Sequence, residues 1–206
     1  MPEEQHLGLR ERKKADTRKA LSDAALQLMF ERGLENVVRE DIAARAGVSV
    51  RTFNNYFSGK HEALAYRQLA RIRGAIEILR SRPAHEPLWT ALTAAMVEPL
   101  EAELSESGGR APTPEQLTEA RKLMAAPETR AILSKGFEDD LIAAIAERTG
   151  TDPDRDMYPR LVAGAAATAQ QAAFEIYVRA DPPVLLPPLL RQAMAALAAG
   201  LPEPPA

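Results

Sequence analysis

The sequence predicts an all-α protein of about nine helices, and three observations support this fold class. Apolar residues recur at helical spacing along almost the whole chain, and no segment alternates between apolar and polar residues as a strand does. Proline, glycine and short acidic stretches separate the helical segments from one another. With 206 residues, 46% of them hydrophobic, the chain can bury the core of one or two compact domains.

The first part of the chain predicts a compact head of four helices. Gly33 is placed to end the first helix, because glycine adopts the left-handed conformation that is common after helix C-termini. Gly47-Val48-Ser49 separates the second helix from the third, and Pro83 and Pro87 bracket the break after the fourth. The predicted helices cover about 11–32, 40–46 and 50–56, and the fourth begins near Lys60.

The remainder of the chain predicts five more helices. Pro99 lies inside the first of them and should kink or split it, because proline has no backbone N–H donor. Residues 105–114 are rich in loop-forming residues, and the tail 201–206 is expected to be disordered. The five helices are predicted over about 88–104, 114–125, 128–148, 157–180 and 187–199.

The composition excludes several classes of protein. There is no cysteine, which excludes disulfide scaffolds, thiol catalysis and cysteine-ligated metals. No apolar run reaches the roughly 18 residues of a membrane span, and the charged N-terminus is unlike a signal peptide. We therefore expect a soluble, cytoplasmic protein.

The net charge of −3 conceals an asymmetry along the chain. Residues 1–82 contain 16 Lys and Arg against 11 Asp and Glu, whereas residues 83–206 contain 10 against 18. This distribution favours contact between the first part and a polyanion such as nucleic acid, although ordinary solvated helix surfaces can give the same counts.

The most informative segment is residues 41–64, DIAARAGVSVRTFNNYFSGKHEAL. Gly47 permits the positive φ of a tight turn after a helix, and Ser49 is a good N-cap for the helix that follows. Two helices joined by a short glycine-containing turn, with the second helix capped, make a helix-turn-helix.

The second helix of this motif has an apolar side and a polar side. Phe53 and Phe57 are four residues apart and should therefore point together into the head. The other side carries residue types that read base edges in the major groove: arginine for guanine, asparagine for adenine and the threonine methyl for thymine. Tyr56 and Lys60 are suited to phosphate contacts. The base-reading candidates are Arg51, Thr52, Asn54 and Asn55.

The same segment contains a recurring pattern that identifies a family. An Ile-Ala pair is followed by Ala-Gly-Val-Ser, by Thr-Phe-x-x-Tyr-Phe, and then by a lysine and a leucine. Together with the stretch 17–33, this pattern resembles the DNA-binding domain of the TetR family of bacterial transcriptional regulators, and the resemblance covers residues 10–65. In this sequence the pattern is Ile42-Ala43, Ala46-Gly47-Val48-Ser49, Thr52-Phe53-Asn54-Asn55-Tyr56-Phe57, Lys60 and Leu64.

The resemblance implies that the helix at 50–56 is the recognition helix. Relatives often carry a phosphate-binding threonine where Val38 stands, so either Asn36 or Arg39 is expected to replace that contact. Asn54 stands where an aromatic residue is common, so the operator sequence does not carry over from relatives. The residues implied at the DNA are Val50, Arg51, Thr52, Asn54, Asn55, Tyr56 and Lys60.

A basic cluster stands before the first helix, in the arm or at the helix start. One interpretation is that this cluster touches the DNA backbone or enters a neighbouring minor groove. The other is that it is a solvated, frayed terminus, and the sequence leaves both open. The cluster consists of Arg10, Arg12, Lys13 and Lys14.

The resemblance further implies a repressor that a small organic ligand releases from its operator. One small head contacts few base pairs, so specific binding needs a homodimer on a near-palindromic operator. The helices near 157–180 and 187–199 are the expected dimer interface, although their apolar stripe can also pack the subunit core. The expected domains are an N-terminal arm (1–9), a helix-turn-helix domain (10–62), a helical effector-binding and dimerisation domain (63–200) and the tail (201–206).

A small hydrophobic effector would need a pocket between helices of the C-terminal domain. Several large apolar residues there are candidates, with one glutamine to supply a polar contact, but each is more often an ordinary core residue. The candidates are Trp89, Met96, Phe137, Gln170, Phe174 and Tyr177.

Enzyme signatures are lacking in the sequence. No histidine stands at a metal-ligand spacing, and no glycine-rich nucleotide-binding loop follows a strand. The run Asp152, Asp154 and Asp156 begins like a calcium loop, but Met157 and Ala163 stand where glycine and glutamate are needed. We expect no catalytic site, metal or cofactor. The alternatives are a helical carrier or enzyme with an incidental helix-turn-helix, and a ligand-independent activator or nucleoid-type DNA binder.

Overall fold

The computed structural model describes residues 8–106, 108–133 and 137–203. These residues contain ten α-helices and one short 3-10 helix but no strand, which confirms the predicted all-α fold class. The 3-10 helix, Leu34–Asn36, is called the 3-10 turn below. The α-helices are α1 (Leu9–Arg32), α2 (Arg39–Arg45), α3 (Val50–Tyr56), α4 (Lys60–Ser81), α5 (Leu88–Glu106), α6 (Pro114–Ala125), α7 (Pro127–Leu133), α8 (Phe137–Thr149), α9 (Met157–Tyr177) and α10 (Leu186–Ala198).

The helices lie close to their predicted positions. Helix α5 continues through Pro99, so Pro99 does not split the helix, and the alternative expectation, a kink, stays a prediction. Proline removes only one main-chain donor, and the turn before it is held in the core by the buried residues Ala95 and Val97. Most of the helix predicted over 128–148 is described as α7 and α8, which lie on either side of residues 134–136, and those three residues are outside the described part of the chain.

The described chain divides into two compact units. The first unit contains the described residues up to Gln68 together with Glu119–Leu133. The second half of α6 and all of α7 therefore pack with the N-terminal helices, which the sequence does not predict. The division at residues 62 and 63 remains a prediction. The core of the first unit includes Leu21, Leu28, Ile42, Phe53 and Leu123.

The second unit contains Leu69–Thr118 and the described residues from Phe137 onward. Within it, α9 packs against α8 and α10, and α10 also packs against α5. Many of the buried residues of α9 are alanines, which allow neighbouring helices to approach closely. The core includes Leu92, Ile145, Ala166, Leu190 and Met194.

A buried arginine closes the connection between α4 and α5. The side chain of Arg148 is only 8% exposed. Its guanidinium donates to the carbonyl oxygens of Arg82 at 3.2 Å, Pro83 at 2.6 Å and Glu86 at 2.8 Å. These carbonyls belong to the segment that follows α4 and lack partners within a helix, so Arg148 satisfies them from α8.

Two further expectations concern membrane spans and the ends of the chain. None of the described helices combines the length and apolar character that crossing a membrane requires. Residues 1–7 of the expected arm and 204–206 of the expected tail lie outside the described residues.

Candidate nucleic-acid interface

The turn between α2 and α3 has the geometry that the sequence predicts. Gly47 has a φ of 70°, in the left-handed region that favours glycine. The N–H of Val48 donates to the carbonyl oxygen of Ala43 at 2.9 Å, which closes the turn. The side-chain oxygen of Ser49 accepts from the N–H of Thr52 at 3.0 Å, so Ser49 is the N-cap of α3.

Helix α3 is oriented by two phenylalanines on its inner side. Phe53 is fully buried and Phe57 is 3% exposed. Their ring centroids are 5.9 Å apart, and Phe57 also makes an edge-on contact with the ring of Tyr66 at 5.7 Å. Because α3 has only seven residues, this aromatic anchor determines which side of the helix faces outward.

The predicted DNA-facing residues divide into two groups. Arg51, Asn54 and Asn55 are exposed, as direct readers of bases need to be. The hydroxyl of Thr52 lies 2.9 Å from the hydroxyl of Ser49 and is therefore part of the cap, which leaves its methyl group for an apolar contact. Val50 and Tyr56, like Thr52, are half-buried, and both pack against the core of the first unit.

Lys60 is engaged within the protein. Its ammonium nitrogen donates to the carbonyl oxygen of Leu34 at 3.0 Å and lies 3.4 Å from that of Glu35. Both carbonyls belong to the 3-10 turn. An ammonium group has three N–H donors, so one remains for another acceptor.

Asn36 and Arg39, the two candidates for replacing the missing threonine at Val38, differ in the partners that their side chains already have. Val38 is the N-cap of α2 and makes no side-chain capping bond. The side-chain amide of Asn36 donates to the carbonyl oxygen of Arg32 at 2.7 Å and so serves the end of α1. Arg39 is exposed, and its nearest ionic partner is its neighbour Glu40 at 3.2 Å.

All four members of the basic cluster lie on the first turns of α1 rather than ahead of it. Arg12, Lys13 and Lys14 are exposed, and within the described residues none of them has an ion-pair partner. The side chain of Arg10, the fourth member, lies outside what the structure describes.

An ion pair fixes α2 against α1. The guanidinium of Arg45 donates two hydrogen bonds to the carboxylate of Glu31, at 2.8 and 2.6 Å. The hydrogen bonds from Arg45 hold the pKa of Glu31 below its usual range. A second pair joins Arg32 to Asp41 at 2.8 Å, so α2 is held to the end of α1 at two points.

Similarity to known proteins agrees with this geometry. Residues 21–65 match the family model for bacterial regulatory proteins of the tetR family, and residues 86–202, more than half of the chain, match the model for the MftR C-terminal domain. The chain is 33% identical over 180 residues to the HTH-type transcriptional regulator TcmR of Streptomyces glaucescens, covering 84% of this chain and 79% of that protein. The chain belongs to the TetR family.

This TetR-family protein is therefore a DNA-binding transcriptional regulator, as its helix-turn-helix predicts. It is also 28% identical to a putative mycofactocin biosynthesis transcriptional regulator, MftR, of Mycobacterium tuberculosis, over 98% of both chains. Its fold resembles that of the TetR-family repressor FadR of Thermus thermophilus, with a TM-score of 0.54 and 21% identity, covering 92% of this chain and 97% of FadR.

The ligand-pocket candidates of this regulator lie on three helices of its second unit, α5, α8 and α9. Trp89 and Met96 of α5 are partly buried and pack against the core. Phe174 and Tyr177 of α9 are also partly buried, with ring centroids 6.0 Å apart, and burial raises the pKa of the Tyr177 hydroxyl. Gln170 is half-buried one turn before Phe174, whereas the side chain of Phe137 lies outside the described part.

Helix α9 of the TetR-family chain also carries exposed apolar side chains. Met157 is 71% exposed, Leu161 60% and Ile176 57%. The sequence places Leu161 and Ile176 on one stripe with Ala169, but Ala169 is buried, so that stripe is divided between two faces of the helix. Helix α9 is therefore apolar on more than one face.

Proposed function

We propose that this chain is a repressor that reads a near-palindromic operator with α3 and leaves it when a small organic ligand binds the second unit. The observation that carries this proposal is the outward side of α3, where Arg51, Asn54 and Asn55 are exposed opposite the buried Phe53. A capped helix with a rigid inner side presents these donors and acceptors in a fixed geometry, which major-groove reading needs.

The proposed interface combines base readers with phosphate contacts around them. Arg51, Asn54 and Asn55 read base edges, while the methyl group of Thr52 and the side chain of Val50 supply apolar contacts. Arg39 replaces the missing hydroxyl at Val38, because its guanidinium is exposed whereas the amide of Asn36 serves α1. The remaining contacts go to phosphates and fix the register on the duplex. They are made by Tyr56, Lys60, Arg12, Lys13 and Lys14.

The proposed repressor is a homodimer joined through α9 and α10. A single recognition helix covers one half-site, so two copies related by a two-fold axis are needed to span a palindrome. Exposed apolar side chains on α9, including Leu161 and Ile176, support this interface because a lone chain leaves them in water. A regulator of this kind acts where the chromosome lies, which places it in the cytoplasm.

The proposed effector is a small, mainly apolar organic molecule. The partly buried residues Trp89, Met96, Phe174 and Tyr177 offer apolar and aromatic contacts, and Gln170 offers one amide. The T. thermophilus FadR structure is described as a complex with lauroyl-CoA, which is consistent with a binding site in a helical fold of this type. The chemical class of this chain's own effector follows only from the apolar character of these residues.

The base-reading role is tested on duplexes that the wild-type chain enriches from a random-sequence library. Arg51→Ala and Asn55→Ala should each weaken binding to the enriched duplex by about 1–3 kcal/mol and leave binding to a scrambled duplex nearly unchanged. The measurement is fluorescence anisotropy at a fixed salt concentration, since affinity depends steeply on salt.

A matched control separates base reading from lost charge. Arg155 has a side chain that is 87% exposed and belongs to the second unit, so Arg155→Ala removes the same charge outside the first unit and should leave both affinities unchanged. Equal losses on the enriched and scrambled duplexes for Arg51→Ala and Asn55→Ala would show that these residues do not read bases.

A further inference from the structure

The 3-10 turn determines how the polypeptide enters the helix-turn-helix. Gly33, with a φ of 84°, ends α1, and the chain then makes the single turn Leu34–Asn36 before Val37 and Val38 lead into α2. Leu34 and Val37 are buried in the core of the first unit. Any shift of this turn would therefore also shift the start of α2.

The first N–H of this turn is capped by a distant side chain. Gly33, in the N-cap position, has no side chain with which to cap the turn. Instead, the carboxylate of Glu119 on α6 accepts from the N–H of Leu34 at 2.6 Å, from 85 positions away in the sequence. A carboxylate that accepts an unpaired N–H at the start of a helical turn stabilises that turn.

Glu119 is itself held in place. Its side chain is only 13% exposed, and the ammonium group of Lys122, one turn later on α6, donates to it at 2.6 Å. The hydrogen bonds from Lys122 and from Leu34 N–H hold the pKa of Glu119 below its usual range. The carboxylate also packs beside Gly33, where an added Cβ would lie 3.6 Å from it.

The carbonyl oxygens of the same turn hold Lys60. Its ammonium group is bound to the carbonyl oxygens of Leu34 and Glu35, the first two residues of the turn. Lys60 begins α4, four residues after α3 ends at Tyr56. The 3-10 turn is therefore bound by two side chains. Glu119 accepts from its first N–H, and Lys60, which lies next to the recognition helix, donates to its carbonyl oxygens.

We propose that Glu119 is a positioning residue for DNA recognition, which holds the 3-10 turn and through its carbonyls aims Lys60 at the operator. This inference rests on the proposed DNA-reading role of α3. Glu119 carries a negative charge and is nearly buried, so it offers nothing favourable to a phosphate and acts only through Leu34 and Lys60. The affinity for the operator thus depends on a side chain of α6.

The test compares Glu119→Ala with Glu119→Gln on the duplex enriched by the wild-type chain. Glu119→Ala should weaken specific binding by up to about fivefold, the size of a typical capping effect. Glu119→Gln should restore most of the affinity, because an amide oxygen still accepts from Leu34 N–H. Amide exchange of Leu34 should be faster in the alanine variant and close to wild type in the glutamine variant.

The control uses an exposed acid of the same unit, Glu128 at the start of α7. General electrostatics predicts that removing a negative charge strengthens binding to DNA, so Glu128→Ala should bind as tightly as wild type or more tightly. If Glu119→Ala also binds as tightly as wild type or more tightly, the proposal is overturned.

A double-mutant cycle tests the path through Lys60. In a Lys60→Met background, Glu119→Ala should have little further effect on specific binding, because the group that it positions is gone. Equal effects of Glu119→Ala in both backgrounds would refute this path. Failure of the wild-type chain to enrich any duplex would instead overturn the proposed function, so the two failures are distinguishable.

Discussion

At the residue scale, the helix-turn-helix depends on a few residues, each of which has one distinct structural role. Gly47 supplies a backbone conformation, Ser49 supplies a hydrogen-bond acceptor, and Phe53 supplies buried volume. Each task follows from the chemistry of one residue type, and the residues are close together in the sequence. This explains why a short segment is sufficient to predict the helix-turn-helix.

Gly47→Ala should destabilise the first unit through backbone strain alone. Among the described residues, no atom beyond Gly47 and its two chain neighbours lies within 4 Å of the position that a Cβ would occupy, so no steric clash contributes. A φ of 70° costs an L-residue about 1–2 kcal/mol, and urea unfolding followed by circular dichroism should show a loss of this size. Amide exchange should locate the change in the first unit.

Gly74→Ala is the matched control for this substitution. Gly74 lies inside α4, also has open space around the Cβ position, and does not have a positive φ. Alanine should therefore stabilise the protein by about 0.4–1 kcal/mol, because it restricts the unfolded chain and favours the helix. A similar loss of stability in both variants would argue against strain at Gly47.

Residue contacts between distant parts of the sequence are what sequence analysis could not predict. The phosphate role assigned to Lys60 follows from its place beside the recognition helix, but its bonds to Leu34 and Glu35 depend on tertiary packing. The contact between Glu119 and Leu34 spans 85 positions. No local pattern of hydrophobicity or capping encodes such a pair.

At the element scale, helix bounds are predicted correctly where nearby capping or proline residues set them. They are not predicted where tertiary packing sets them. The bounds of α3 and α6 are as predicted, because Ser49 and Thr113-Pro114 mark their starts. The behaviour of α5 at Pro99 was not predictable, because its buried neighbours hold the helix together. Similarly, α9 has two apolar faces, and periodicity alone does not assign each face to its partner.

The first turns of helix α1 carry Arg12, Lys13 and Lys14, which have no ion-pair partner among the described residues, and we predict that these side chains contact the DNA backbone. Lys13→Gln combined with Lys14→Gln should weaken binding to enriched and scrambled duplexes alike. It should also lower the slope of log K against log salt by about 1 for each lost phosphate contact. The measurement is a salt titration of binding by anisotropy.

Lys19→Gln is the comparison for this prediction. Lys19 is exposed on the same helix, but its ammonium group is paired with Asp23 at 3.3 Å. Its removal should leave the salt slope close to that of the wild type. An unchanged slope in the Lys13 and Lys14 double variant would mean that these two side chains are free in the complex.

At the scale of the whole molecule, the chain folds into units that do not follow its sequence order. Residues 119–133 belong to the first unit although they lie between two segments of the second. The sequence shows a change of charge near residue 82, but charge and punctuation do not reveal that a later segment packs with the N-terminal core. Leu123 of this segment is buried in that core.

The exposed apolar side of α9 leads to a prediction about assembly. A two-fold interface would place Leu161 against the same helix of the partner, so Leu161→Glu would bring two carboxylates close together in an apolar setting. Such a like-charge contact costs about 3 kcal/mol or more, and the dimer dissociation constant should rise at least roughly a hundredfold. Analytical ultracentrifugation at micromolar concentration should then show mainly the monomer.

The control for assembly is Ala167→Glu, which adds the same charge to an exposed position of α9 away from the stripe of Leu161. This variant should remain dimeric. Specific DNA binding should fall with the dimer in Leu161→Glu, because half-site binding by one α3 loses the second set of contacts, whereas Ala167→Glu should bind as the wild type does. A wild-type chain that sediments as a monomer at the same concentration would contradict the two-fold model, and operator recognition would then need another explanation.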